Sequence, residues 1–280
     1  MKDFALFNDT FSITKTSTYH LSILLKPSGL SYTIVDTVRD KCVAIKNITF
    51  NDLKGAKDYL DRIADFLKKD SFLAKNYKSV DFVYSSRKST LVPLELFDKK
   101  LLKSYFTFVH TLDEYEEIHF NKLSKSDAVN IFSIPSDITT LMVNHFPELK
   151  FYHQTTTFID NTIDKSSSEN QLVGIMVYLS YFDITVCNSG KLFLYNNFEF
   201  QNENDFVYHI VNIYQQLKIS DQKTKLFLSG EIDKEDAKYK LLSKFLKNIN
   251  FFTGFDNSKQ RYQFKEIPEH YLTNLINFSK

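Results

Sequence analysis

The chain of 280 residues contains no tryptophan, two cysteines, five prolines and six glycines. Each shortage excludes something. Glycine at about 2%, against an average near 7%, leaves little bare backbone with which to grip phosphates. No Walker-type loop, Gly-x-Gly-x-x-Gly, His-Glu-x-x-His or Gly-x-Ser-x-Gly occurs. Cys42 and Cys187 each lie in an apolar, strand-like segment; alone they can build neither a disulfide scaffold nor a zinc site, and they are expected to be buried thiols. Charge of one sign is also missing. With 35 basic and 34 acidic residues the formal charge is +1, which gives no basis for general binding to nucleic acid or membranes but leaves room for a local patch. No apolar run approaches the roughly 18 residues of a membrane span, and the best, Leu172 to Leu179, is strand-length. The segment Met1 to Asp9 lacks the apolar stretch of a signal peptide. A cytoplasmic protein with no membrane partner is therefore expected, and Asn47-Ile48-Thr49 carries no weight as a glycosylation acceptor.

What the chain has is apolar and aromatic bulk. Hydrophobic residues make up 43%, with 27 phenylalanines and 16 tyrosines, enough to exclude a disordered chain. The length suits one large domain or two modest ones. Residues 1–18 are polar and read as a loosely attached arm. Leu21 to Leu25, Leu30 to Val35 and Cys42 to Phe50 read as strands, the first two joined by Lys26-Pro27-Ser28-Gly29, whose Pro and Gly suit a tight turn. Leu53, Ala56, Leu60, Ile63, Ala64 and Leu67 recur at helical spacing, with Asn51 or Asp52 placed to cap. Val80 to Tyr84 returns as a strand. Further along, Leu94 to Val109 is expected to be helical, Glu117 to Leu123 and Ala128 to Ile134 to be strands, and Pro135-Ser136-Asp137 to open a short helix. Residues 160–170 are the most polar interior stretch and read as a loop between halves.

After that stretch the first pattern recurs. Leu172 to Leu179, Phe182 to Val186 and Lys191 to Phe198 read as three strands, followed by a helix from about Asp205 to Leu217 that Asp205 would cap. Then come a strand at Lys225 to Leu228, a helix carrying Ala237 through Ile249, a strand near Tyr262 to Ile267, and a helix opened by Pro268. Strand-strand-strand-helix-strand-helix thus occurs twice. The fold expected is α/β: tandem ribonuclease-H-like subdomains of the actin-like ATPase kind, each a mixed sheet with three antiparallel strands plus helices. The subdomains would be 1–150 and 151–280.

Certain segments carry a resemblance. Leu192 to Phe200, Asp205-Phe206-Val207-Tyr208, Gln216-Leu217 and Leu228-Ser229-Gly230-Glu231-Ile232 resemble a family of Bacteroidetes proteins of unassigned function. Leu21-Ser22-Ile23, Gly29 to Tyr32, Leu91 to Phe97 and Val129 to Pro135 fall in matching order. The resemblance implies an actin-like ATPase fold from about residue 19 onward, and no particular chemistry.

Such ATPases set a hairpin turn from each half on the phosphates. Carboxylates hold Mg²⁺ through its waters and glycines let N–H groups approach. Here the first turn, Lys26-Pro27-Ser28-Gly29, has no carboxylate, and Pro27 removes a donor. The second falls at Ser180-Tyr181, without glycine and with a bulky ring; Asp183 comes two residues late, inside an expected strand. The adenosine-side loop, Ser229-Gly230-Glu231, has one glycine and then a carboxylate that would repel phosphate. No catalytic residue, metal ligand or cofactor is assigned. If a nucleotide binds nonetheless, Lys26, Ser28, Gly29, Ser180, Ser229 and Gly230 are the contacts available.

Other groups have plainer readings. Asp113, Glu114, Glu116 and Glu117 beside His119 read as a solvated loop rather than a metal site, and His145, His153 and His209 as satisfied or surface histidines. Tyr105, Phe106 and Phe108 read as packing. Lys99, Lys100 and Lys103 form a basic patch that could meet RNA or an acidic partner. Three functions follow, in order: a non-catalytic scaffold with an unidentified protein partner, an ATP-binding ATPase or nucleotide sensor with atypical loops, and an RNA-associated accessory protein.

Overall fold

In the computed structural model, residues 3–167, 171–252, 264 and 267–276 are described. The first sheet is built from β1 (Phe4–Phe7), β2 (Tyr19–Lys26), β3 (Gly29–Asp36), β4 (Lys41–Thr49), then, after helix α1 (Ala56–Lys69), β5 (Ser79–Tyr84). β2 and β3 are buried at every position, so this sheet must be covered on both faces. A second unit follows: β6 (Ser89–Pro93), α2 (Leu102–Val109), β7 (Glu116–Lys122) and β8 (Ala128–Pro135), its three strands paired antiparallel in the order β6-β8-β7. Helix α3 (Ser136–His145) leads to β9 (Lys150–His153), which rejoins the first sheet parallel to β5. That sheet has the order β1-β4-β3-β2-β5-β9.

Helix α4 (Gln154–Ser166) carries the chain into the second sheet, β10 (Gln171–Val177), β11 (Tyr181–Asn188) and β12 (Lys191–Glu199). Helix α5 (Glu203–Gln216), β13 (Lys225–Gly230), α6 (Ala237–Phe245), β14 (Ile249–Phe251) and a short α7 (Thr273–Ile276) complete it. The sheet order is β12-β11-β10-β13-β14. β10, β11 and β12 are antiparallel, while β13 and β14 continue parallel from β10. In the first sheet β4-β3-β2 followed by β5 and β9 repeats this plan. The repeated pattern in the sequence is a repeated topology. Its turns explain themselves: β11 and β12 are joined through Ser189 and Gly190, with φ of 48° and 76°, the two positive values a type I′ hairpin needs.

The two sheets face each other across α4 and α7. Ile63 and Leu67 of α1 and Ile138 and Met142 of α3 cover the outer face of the first sheet. Its inner face packs Leu24, Val35, Ile45 and Val83 against Leu272 and Leu275, next to and within α7. On the second sheet, Phe206 and Ile210 of α5 and Leu242 of α6 cover the outer face, while α4 lies on the inner one. Gly174 of β10 permits that approach, since a Cβ there would crowd Thr162 of α4.

Several sequence expectations need correction. Residues 1–18 are not a loose arm. Phe4–Phe7 forms an edge strand on β4, and Phe11 packs against Tyr19 and Phe72. Residues 160–166 are not a loop but the second half of α4, which survives poor helix formers by burying Phe158, Ile159 and Ile163. Leu94 to Val109 is not one helix; two 3₁₀ turns, Leu94–Leu96 and Lys99–Leu101, precede α2 because Asp98 caps the second by accepting from the Lys100 N–H. Helix α1 starts after Gly55 rather than at Asn51 or Asp52. Asn202, not Asp205, caps α5, and Asp205 instead accepts from the Gln201 N–H in reciprocal fashion. α6 ends at Phe245, and Ile249 opens strand β14. The strand expected near Tyr262 to Ile267 lies mostly outside the described residues.

Candidate functional site

In this topology the β2–β3 turn, the β10–β11 turn and the end of β13 approach one another between the sheets. Lys26, Ser28, Leu179 and Glu231, with Ile48 to Asp52, line one cavity of about 320 Å³ there. The structure therefore brings Lys26 and Ser28 together with Glu231. It contributes Leu179 from the second turn, while Ser180 points to solvent and its carbonyl accepts from the Phe200 N–H. Lys26 is buried and donates from Nζ to Glu231 Oε1 at 3.3 Å and to Asn47 Oδ1 at 3.5 Å. The one cation of the phosphate turns thus already holds a carboxylate.

The glycines are committed as well. Gly29 has φ 150° and Gly230 φ 82°, and a Cβ would collide with the carbonyls of Ile48 and Val177 respectively. Both serve close approach of the chain to itself. The Glu231 N–H donates to Val177 O at 2.8 Å, so the loop that would meet a nucleotide spends that donor within the sheet. Ser229 is buried in β13, and its Oγ has no hydrogen-bond partner among the described residues. A second cavity of about 580 Å³ lies on the other side of Glu231, lined by Asp3, Asp233 and Asp236 together with Phe4, Leu6, Ile267 and Tyr271. Among the described residues no group of three or more His, Cys, Asp or Glu side chains could hold a metal.

Deeper between the sheets lies a polar network that no motif announced. Asp183, in β11 as its position implied, is fully buried; its Oδ1 accepts from Tyr195 OH at 3.0 Å and its Oδ2 from Tyr178 OH at 3.1 Å. Burial pushes its carboxyl up to about 7, against the pull of these donors. Tyr178 and Tyr181 stack at 4.4 Å. Tyr181 shares a hydrogen bond with Ser85 Oγ across the two sheets, and Asn274 Nδ2 donates to Tyr178 OH at 3.4 Å. At the start of α4, Gln154 exchanges two bonds with Ser86, and Thr155 meets Tyr195 OH. His153 caps α4, accepting through Nδ1 from the Thr155 N–H; burial drives it down to about 3, so it is neutral. Arg87 pairs with Glu199 and donates to Asn197, adding a rim contact between the same two layers. The network's hydrogen bonds cross from one sheet to the other. It fixes one sheet to the other.

The remaining sequence candidates fall elsewhere. Asp113 and Glu116 pair with Lys88. His119 sits between Phe132 and Phe151, His145 bonds to Leu73 O, and His209 stacks on Phe198. Lys99, Lys100 and Lys103 are exposed. Of the aromatics beside them, Phe106 is core, but Phe108 is not packing: it is 91% exposed.

A protein from Bacteroides thetaiotaomicron with an actin-like ATPase fold and unknown function is similar over 89% of this chain and 96% of its own, at 26% identity and a TM-score of 0.79. A component of the PilM–PilN type IV pilus biogenesis complex aligns over 93% of this chain and 98% of its own, at 10% identity and a TM-score of 0.56. These likenesses and the two sheets establish the actin-like ATPase fold. No curated protein is matched by the sequence. Residues 8–249 match a family described as proteins of unknown function, and the chain belongs to that family, DUF3822.

Proposed function

We propose that this protein is a pseudo-ATPase: an actin-like scaffold that has exchanged nucleotide binding for a fixed arrangement of two subdomains, 1–150 and 151–280, and works in the cytoplasm by binding another protein. The observation that carries the reading is the Lys26–Glu231 ion pair. A triphosphate entering the cleft would have to displace Glu231 from Lys26 and then lie beside that carboxylate with no compensating metal anchor on either turn. The network around Asp183, Tyr178 and Tyr181 supports the same reading, because a nucleotide-driven cycle of opening and closing would break buried hydrogen bonds at each turn. A protein of the same fold occurs in the PilM–PilN type IV pilus biogenesis complex, an instance of this architecture serving in an assembly.

A thermal-shift titration with Mg·ATP tests the reading. A ligand at about 100 times its Kd adds about 2.7 kcal/mol, several degrees for a chain of this size. No shift is expected. A shift of that size, abolished by Ser28→Trp, would replace the scaffold with a nucleotide sensor.

A further inference from the structure

Among the described residues the most exposed large apolar side chain is Phe108, on the outer face of α2, with Leu96 at 68%, Val109 at 58% and Leu101 close by. A soluble surface scatters such residues singly; here four fall within fourteen consecutive positions. Phe108 and Val109 end α2, Leu101 ends the 3₁₀ turn just before it and Leu96 the turn before that, while Lys99 and Lys100 share the second turn and Lys103 lies in the first turn of α2. Lys100 and Lys103 make no ion pair among the described residues, and Lys99 Nζ lies 5.8 Å from the Phe120 ring, with its charge open to solvent. The inner side of α2 is already satisfied: Phe106 is fully buried, and Leu102 and Tyr105 pack with Phe97, Val129 and Ile131. The outer apolar row therefore has no role in holding the fold.

We propose that the outer face of α2 and the 3₁₀ turn before it is a contact surface for an anionic lipid bilayer. Two features select that occupant. Phe108 projects from the surface instead of lining a groove, which suits insertion between lipid headgroups. Lys99, Lys100 and Lys103 lie in the same segment and outnumber its exposed Glu95 and Asp98, as in interfacial helices that pair apolar with basic residues. The contact would hold a cytoplasmic scaffold against a membrane without spanning it; no helix among the described residues is long and apolar enough to cross one.

The absence of tryptophan makes the test direct. Phe108→Trp places a single indole at the surface without disturbing the core, and Val38→Trp places one at the β3–β4 turn, where Val38 is 78% exposed. Vesicles of phosphatidylcholine with phosphatidylglycerol should blue-shift the emission of Phe108→Trp only, and vesicles of phosphatidylcholine alone should leave it unchanged. The wild-type chain should co-sediment with the anionic vesicles. Each lysine changed to Ala at 99, 100 or 103 should weaken partitioning about fivefold. The proposal is overturned by an unshifted emission together with no co-sedimentation, or by equal shifts at both reporters. A shift at Phe108→Trp produced by polyuridylic acid would give the surface to RNA instead. One that grows with protein concentration in the absence of vesicles would give it to a second copy of the chain.

Discussion

Lys26 and Glu231 stand 205 positions apart in sequence, yet their side chains meet at 3.3 Å with little solvent around either. Removing one partner leaves the other charge buried and unmatched. Lys26→Met or Glu231→Gln alone should cost about 2 kcal/mol in urea unfolding, scaled down from a fully enclosed pair because some water reaches both. Lys26→Met with Glu231→Gln should cost clearly less than the sum, a coupling of about 1 kcal/mol or more. Additive losses would mean that the two side chains are neighbours without being partners.

Asp183 and His153 should give opposing pH dependences. Asp183 holds its proton up to about 7 in the folded chain but only to its ordinary 3.8 when unfolded. Its contribution to stability is therefore complete below about pH 4 and fades as pH rises toward 7. His153 falls from 6.5 to about 3 on burial, so its contribution is complete above pH 6.5 and fades as pH drops below it. Asp183→Asn removes the first dependence and leaves the second. The urea midpoint of the variant should climb between about pH 4 and 6.5 more steeply than that of the wild type; parallel profiles would contradict the assignment.

Gly230→Ala should destabilise the chain by more than about 2 kcal/mol, since it forces an L residue to positive φ and drives a Cβ into the Val177 carbonyl. Gly55→Ala, at φ 108° but with nothing near its Cβ, isolates the backbone strain and should cost less. Equal losses at the two positions would remove close approach as the reason for Gly230.

Cys42 and Cys187 are both buried, and burial pushes each thiol up to about 12. Neither should react with a thiol reagent in the native chain at neutral pH, and both should react in urea. Rapid labelling without denaturant would show that the strands around them open readily.

The repeated sheet was legible because each half announces itself locally: dense β-branched and aromatic runs, with Pro27-Ser28-Gly29 and Asn188-Ser189-Gly190 at the turns. Helix α4 was not. Its second half falls in the polar stretch that reads as a loop, and its hydroxyls are reconciled with the interior by bonds such as Thr162 Oγ1 to Phe158 O, visible only once the segment is enclosed between sheets. A signal existed in Phe158, Ile159, Thr162, Ile163 and Ser166, whose spacing fits one buried helix face. That the two turns lack carboxylates and that Pro27 removes a donor are local facts of the sequence. That Glu231 would find Lys26, and that Asp183 would collect two tyrosines, are long-range outcomes with no local signature.

Thr33 of β3 donates to the carbonyl of Leu275, 242 positions later, and Leu272 and Leu275 close the inner face of the first sheet. The strands of the first sheet thus wait for residues 272–275 before their inner face has its lining. During that interval Leu24, Ile45 and Val83 would stand bare, so a nascent chain halted before residue 272 should be a client for chaperones rather than a stable half-protein.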